Sequence, residues 1–140
     1  MAKIFGNILV PYDHSPHSKL ALDKALGMAE LTGADVTLAH VISNDEIPEK
    51  IIRSNEDSIF SHEIEFLNPI EHEAIERKIV LKEEILYGNA VEEIQNLMKK
   101  QNFDIVIMGR RGNTKAASST LGSVSNALVQ NSKIPILVAA

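Results

Sequence analysis

Apolar and polar positions along the chain switch repeatedly between a strand period and a helix period. Asn7-Ile8-Leu9-Val10-Pro11-Tyr12 is a short apolar run ending in turn chemistry, which predicts a buried strand. Ser15-Pro16 then opens a helix, with Ser15 as N-cap and Pro16 at the first helical position, where a missing N–H costs nothing. Leu22, Ala25, Met28 and Ala29 recur at helical spacing, and Gly33 is a natural stop. Residues 36–41 predict a second strand. Beyond it, Ile59, Phe60, Ile64 and Leu67 fit one helix face. Asn68-Pro69-Ile70-Glu71 carries the cap, the leading proline and the capping-box acid of a fresh start, so the expectation is a helix broken near Asn68.

Residues 79–86 place Ile79, Leu81 and Ile85 in alternation and predict a third strand. Asn89 with Glu92 three positions later is another capping box, and Ala90, Ile94, Leu97 and Met98 form the apolar face of the helix it opens. Residues 103–108 (FDIVIM) are apolar enough for a strand buried on both faces. Residues 123–130 read as a helix with Val124, Ala127 and Leu128 inward. Residues 135–138 read as a fifth strand whose leading Pro135 suits a sheet edge. Strands separated by helices require right-handed crossovers. The expected fold is therefore α/β: one doubly wound, Rossmann-like domain over residues 1–140, a five-stranded parallel sheet with helices on both faces.

The chain is 140 residues long, 44% hydrophobic and 24% charged, which fits one globular domain. It contains no cysteine, so disulfides, thiolate metal sites and cysteine nucleophiles are excluded. No apolar run approaches the roughly 18 residues of a membrane span, and MAKIFGNILVPYD lacks a signal-peptide layout; a cytoplasmic protein is expected. The net charge of −5 argues against a broad nucleic-acid surface. That charge is unevenly spread. The acids concentrate in residues 43–78, an expected solvated helix face or a partner-docking surface. Residues 109–140 hold Arg110, Arg111, Lys115 and Lys133 and no acid, so an anion would be met there.

In doubly wound sheets, ligands bind beyond the carboxyl ends of the strands. The first strand ends in Pro11-Tyr12-Asp13-His14-Ser15 and the fourth in Met108-Gly109-Arg110-Arg111-Gly112. Two glycines at that exit permit positive φ and close backbone approach, and Gly122-Ser123 at a helix start offers N–H groups and a hydroxyl. There is no G-x-x-x-x-G-K-[ST] loop and no dinucleotide glycine run after the first strand. A phosphate site after the fourth strand, facing an acid after the first that can accept from a ribose hydroxyl, describes a nucleotide site. Plainer readings stand beside it: glycines as loop punctuation, Asp13 as an Asx-turn residue, Arg110 as a solvated charge. Asp13, His14 and His17 are close in sequence, but no further ligand cluster supports a protein-borne metal site, and the histidine pair reads as surface decoration. His40 reads as a satisfied core residue.

The spacing Gly109-x-x-Gly112, nine residues, Gly122-Ser123 resembles the G-2x-G-9x-G-[ST] motif of the universal stress protein family. ILVPYDHS, ALDKALGMAELTGADVTLAHV, IVIMGRRG and LGSVSNALVQNSKIPILV resemble that family's flanking elements, so the likeness covers essentially the whole chain. It implies strand order 3-2-1-4-5 and the ATP-binding subgroup. By position, the resemblance implies that Asp13 holds the ribose and that Pro11, Tyr12, Val41 and Met108 enclose the adenine. Gly109, Arg111, Gly112 and Asn113 would line ribose and phosphates, and Gly122, Ser123 and Val124 would cap the terminal phosphates. His14 stands where the family often has glycine.

The expected function is an adenine-nucleotide-binding stress protein. It would take ATP or another adenine nucleotide, with Mg or Mn carried by the phosphates, and its nucleotide state would regulate a protein partner. Two alternatives are a weak or partner-dependent ATPase, for which no base beside the phosphates is evident, and an interaction protein with no nucleotide role. The loop S-G-G-x-D-S of carboxylate-activating ATP enzymes is replaced here by DHSPHS. The apolar C-terminal strand is a candidate edge for a homodimer, as the resemblance also implies. Neither a nucleic acid nor a membrane is an expected partner.

Overall fold

A computed structural model of the chain describes residues 6–43, 65–111 and 121–140. In chain order the elements are β1 (Asn7–Pro11), α1 (Pro16–Thr32), β2 (Asp35–Ser43), the helical residues 65–76 (α2), β3 (Leu81–Gly88), α3 (Ala90–Lys100), β4 (Ile105–Gly109), α4 (Ser123–Asn131) and β5 (Ile136–Ala139). The strands form one sheet in the order β3-β2-β1-β4-β5, every adjacent pair parallel, as expected.

Alternation along the central strands divides the core into two layers. Ile8 and Val10 of β1 and Ile105 and Ile107 of β4 join Leu22, Leu26, Leu67 and Ala74 on the α1 and α2 side. Leu9, Val106 and Met108 point the other way and join Ile94, Leu97 and Leu128 of α3 and α4. Because both faces are covered, β4 is buried at every position. Each fully buried Leu or Ile contributes about 1.5–3 kcal/mol.

Local signals in the sequence account for most element ends. Ser15 caps α1 by accepting from the Ser18 N–H, and Gly33 closes it in the left-handed region at φ 78°, donating to the Ala29 carbonyl. Asn89 caps α3 by accepting from the Glu92 N–H. Asp104 fastens the start of the sheet, where its Oδ2 accepts from the N–H groups of both Gly6 and Asn7 at 2.8 Å. Among the described residues no helix is long and apolar enough to cross a membrane.

Two expectations are corrected. Helix α2 runs unbroken through Asn68-Pro69. Leu67, Ile70 and Ala74 form one face packed on the core across the proline, and that burial overrides the local start signal. Ile59, Phe60 and Ile64, which the same reading used, lie outside the described residues. The third strand is displaced by two positions, because Ile79 is taken up in the turn that closes α2. Lys78 turns into the left-handed region at φ 58° and the Ile79 N–H donates to the Ala74 carbonyl at 2.8 Å.

One contact between α2 and the edge strand β3 carries a pH signature. Burial, a hydrogen bond with Glu71 and the Glu71 charge together raise the Glu83 carboxyl from 4.5 to about 7. The folded state therefore binds more protons than the unfolded chain between these values. Its contribution to stability is full below about 4.5 and is lost as the pH rises through about 7. Glu83→Gln is expected to raise the urea midpoint at about pH 8 and to flatten the decline in stability across that window. A variant as pH-dependent as the wild type would refute the assignment.

Candidate functional site

The reversal of strand order lies between β1 and β4, and their carboxyl ends bring the predicted residues together. Pro11 is paired with Ala39, two residues before Val41 on β2, and Met108 stands two residues beyond the Leu9–Val106 pair. Pro11, Tyr12, Val41 and Met108 therefore share one edge of the sheet. Tyr12 and Met108 are buried, while Pro11 and Val41 are half-buried. Burial, and secondarily the Asp13 charge, raise the Tyr12 phenol above its usual range.

The turn after β1 is built from short-range hydrogen bonds. The Tyr12 N–H donates to the Ala39 carbonyl at 2.8 Å. Asp13 Oδ1 accepts from the Ser15 N–H at 3.0 Å, so Asp13 does form an Asx turn. A carboxylate has further acceptor capacity, so this turn fixes the side chain without excluding a ligand hydroxyl. His14 adopts φ 64°, the region where glycine is favoured. Its ring lies about 5 Å from those of Tyr12, His40 and Phe66, at 4.9, 5.0 and 5.0 Å, and these contacts offset a backbone cost of roughly 1–2 kcal/mol. His40 is buried and its Nδ1 donates to the Tyr12 carbonyl at 2.7 Å, in agreement with a satisfied core residue.

The exit of β4 is anchored residue by residue. A Cβ on Gly109 would lie 2.7 Å from both the carbonyl carbon and the Cβ of His17, and 2.9 Å from the Ser18 nitrogen. Gly109 is thus required by the close approach of α1, while positive φ occurs at other glycines, Gly33 and Gly88. The Arg110 N–H donates to the Ala139 carbonyl, and the Arg110 carbonyl accepts from the Gly122 N–H, each at 2.8 Å. The same carbonyl accepts from the Ser125 hydroxyl at 2.6 Å. The Arg111 N–H donates to His17 Nδ1 at 3.2 Å, which corrects the reading of His17 as surface decoration.

At the start of α4, Gly122 has φ −70° and ψ 172° and provides no side-chain cap, unlike Ser15 at α1 and Asn89 at α3. Its own N–H is committed to Arg110, so the backbone donors at this end without an intrahelical acceptor are those of Ser123, Val124 and Ser125. Ser123 is exposed and Val124 half-buried. The assembled end of the sheet can receive an anion at α4 and Arg111 and a hydroxyl at Asp13, with apolar walls between. Gly112 and Asn113 lie outside the described residues. Sequence reasoning missed His17 and Ser125. Ser125 stands three positions after the cap glycine, a spacing that lets its hydroxyl reach back past the first turn, where it also donates to the Gly122 carbonyl at 3.1 Å.

The profile of the Universal stress protein family matches residues 5–140. Universal stress protein MJ0577 of Methanocaldococcus jannaschii is 30% identical, over 99% of this chain and 96% of its own length. A solved structure of MJ0577 superposes with TM-score 0.86 at 28% identity, covering 97% of this chain and 96% of that one. A universal stress protein in complex with cAMP superposes at TM-score 0.71 and 21% identity, covering 99% and 98% of the two chains. An AMP-bound family protein of Arabidopsis thaliana does so at 0.69 and 16%, covering 96% and 90%.

The packing at Gly109 makes a prediction that needs no ligand. Gly109→Ala must push α1 away from β4 and is expected to cost about 1–3 kcal/mol in urea unfolding of the nucleotide-free protein. An unchanged midpoint would show that the space is not occupied as described.

Proposed function

The chain belongs to the universal stress protein family, and from that membership and the geometry of its site we propose that it binds an adenine nucleotide, ATP foremost. The observation that carries the reading is the pairing of the α4 start, which lacks a side-chain cap, and Arg111 with the Asp13 turn across the β1–β4 crevice. Relatives in complex with cAMP and with AMP support the nucleotide class.

In this reading the base lies between Pro11, Tyr12, Val41 and Met108, where an apolar wall excludes water and the Val41 backbone reads the base edge. Asp13 accepts from a ribose hydroxyl while its Asx turn keeps the carboxylate in place. Gly109, Arg111, Gly112 and Asn113 line ribose and phosphates. Ser123 and Val124 donate to the terminal phosphates, with Gly122 shaping the approach. Mg or Mn would accompany ATP on its phosphates and neutralise charge there. In this reading a protein partner of the stress response distinguishes the nucleotide-bound protein from the empty one in the cytoplasm.

Calorimetric titration with ATP and Mg tests the reading, and absence of binding at millimolar ATP would overturn it. Ser123→Ala is expected to weaken ATP by roughly three- to tenfold, the worth of one hydrogen bond. It should leave AMP affinity and the thermal midpoint unchanged, because AMP does not reach the helix start. Equal losses for both nucleotides would displace the phosphates from α4.

The protein is further proposed to dimerise through β5. Among the described residues this strand pairs with β4 alone, and Leu137 on it is 41% exposed. Leu137→Asp is expected to shift the sedimentation coefficient from dimer to monomer. A wild type that sediments as a monomer would remove the assignment.

A further inference from the structure

The turn between β1 and α1 is fastened on both sides of its left-handed residue. Before it, the Tyr12 N–H donates to the Ala39 carbonyl at 2.8 Å, and the Tyr12 carbonyl accepts from His40 Nδ1 at 2.7 Å. After it, the Ser15 N–H donates to Asp13 Oδ1 at 3.0 Å, and the Ser15 hydroxyl caps α1 by accepting from the Ser18 N–H. His14 stands between these bonds at φ 64°. Its ring packs against three rings from three elements: Tyr12 at the exit of β1, edge-on at 74°, His40 of β2 and Phe66 of α2. Tyr12 and His40 are buried, so two of these walls are set by the core. A side chain in the left-handed region persists where its surroundings over-determine it, and such residues collect at functional sites.

Resting on the nucleotide reading above, we propose that His14 is a positioning residue that sets a preference for ribonucleotides: its ring, held by Tyr12, His40 and Phe66, keeps the turn left-handed and so holds the Asp13 carboxylate toward the ribose hydroxyls. The ring touches no nucleotide. Val10 and Tyr12 pack on the α1 and α2 side of the sheet, whereas Met108 and Val41 pack on the α3 and α4 side. The ring cluster therefore backs the turn from the face opposite the base wall. Tyr12 serves the base through its backbone and the turn through its ring. If residue 14 leaves the left-handed region, the Ser15 N–H swings away from Oδ1, and the carboxylate loses the bond that orients it. The base wall and the phosphate donors take their positions from β2, β4 and α4, so the loss falls on the ribose contact. The role requires a flat ring in place and not a charge, because the contacts are ring to ring.

Three substitutions separate the parts. His14→Phe keeps a ring, His14→Gly removes it but adopts the left-handed turn freely, and His14→Ala removes it and keeps the steric cost. Calorimetric titration of the full chain with ATP and Mg should give His14→Phe within about twofold of the wild type, His14→Gly roughly threefold weaker and His14→Ala roughly tenfold weaker. With 2′,3′-dideoxy-ATP, which offers Asp13 no ribose hydroxyl, all of these proteins should agree within about twofold. Equal ATP affinity throughout overturns the proposal, as does a loss of the same size with the dideoxy nucleotide. So does His14→Phe binding as weakly as His14→Ala, or His14→Gly binding no tighter than His14→Ala. If His14→Ala does not fold, His14→Gly against His14→Phe carries the same comparison. A wild type that binds no ATP refutes the nucleotide reading. The hold on the turn is then decided by the hydrogen-exchange protection of the Ser15 amide, measured against that of Leu26 in the same helix. Lower Ser15 protection in His14→Gly than in His14→Phe supports it, and equal protection refutes it.

Discussion

The close approach between the first turn of α1 and the end of β4 sets the geometry of everything at the carboxyl edge of the sheet. No side chain fits between them, so the Gly109 backbone lies directly against His17 and Ser18. That contact fixes the direction in which Arg110 and Arg111 leave the sheet. It also joins the two halves of the site, because the same first turn of α1 is capped by Ser15, whose N–H is held by Asp13. Asp13 and Arg111 therefore take their positions from one helix start, approached from two neighbouring strands. A parallel sheet allows this because β1 and β4 end at the same level on either side of the reversal.

The strands and three of the helix boundaries were legible in the sequence, because burial on two faces writes apolar runs and caps use few residue types, whereas the strand order followed from the family resemblance. The departures have physical causes. Asn68-Pro69 carries a start signal, yet Leu67 and Ala74 are both buried on one face, and tertiary packing outweighs the local preference. Ile79 fits the alternation of a strand but is consumed by the helix end before it, where Lys78 takes a conformation no propensity scale assigns to lysine. Gly109 was recognisable as a place of close backbone approach, but what approaches it is 92 positions away in α1, and nothing local records that partner. The same limit hid His17, whose partner lies across the sheet. His14 in place of glycine was legible as a departure, and its left-handed backbone shows that the turn kept its shape while the residue changed.

Charge is organised along the same division. The acidic excess belongs to the segment between β2 and β3, from which Glu71 meets Glu83 of β3 at the sheet edge remote from β4. The other side of the sheet, from β4 onward, carries no acid after Asp104. The α4 start and Arg111 therefore lie on a stretch of chain with no acidic side chain of its own, and a net charge of −5 does not describe the potential an anion experiences there.

The Arg110 carbonyl has a consequence for how the chain can change. By accepting from both the Gly122 N–H and the Ser125 hydroxyl, it clamps the two ends of the intervening loop to each other. A loop whose ends are already closed can gain or lose residues at small entropic cost and without disturbing the sheet. The scaffold thus imposes little discipline on the length between Gly112 and Gly122. The nine residues found there are a dimension that the sheet and helices do not dictate.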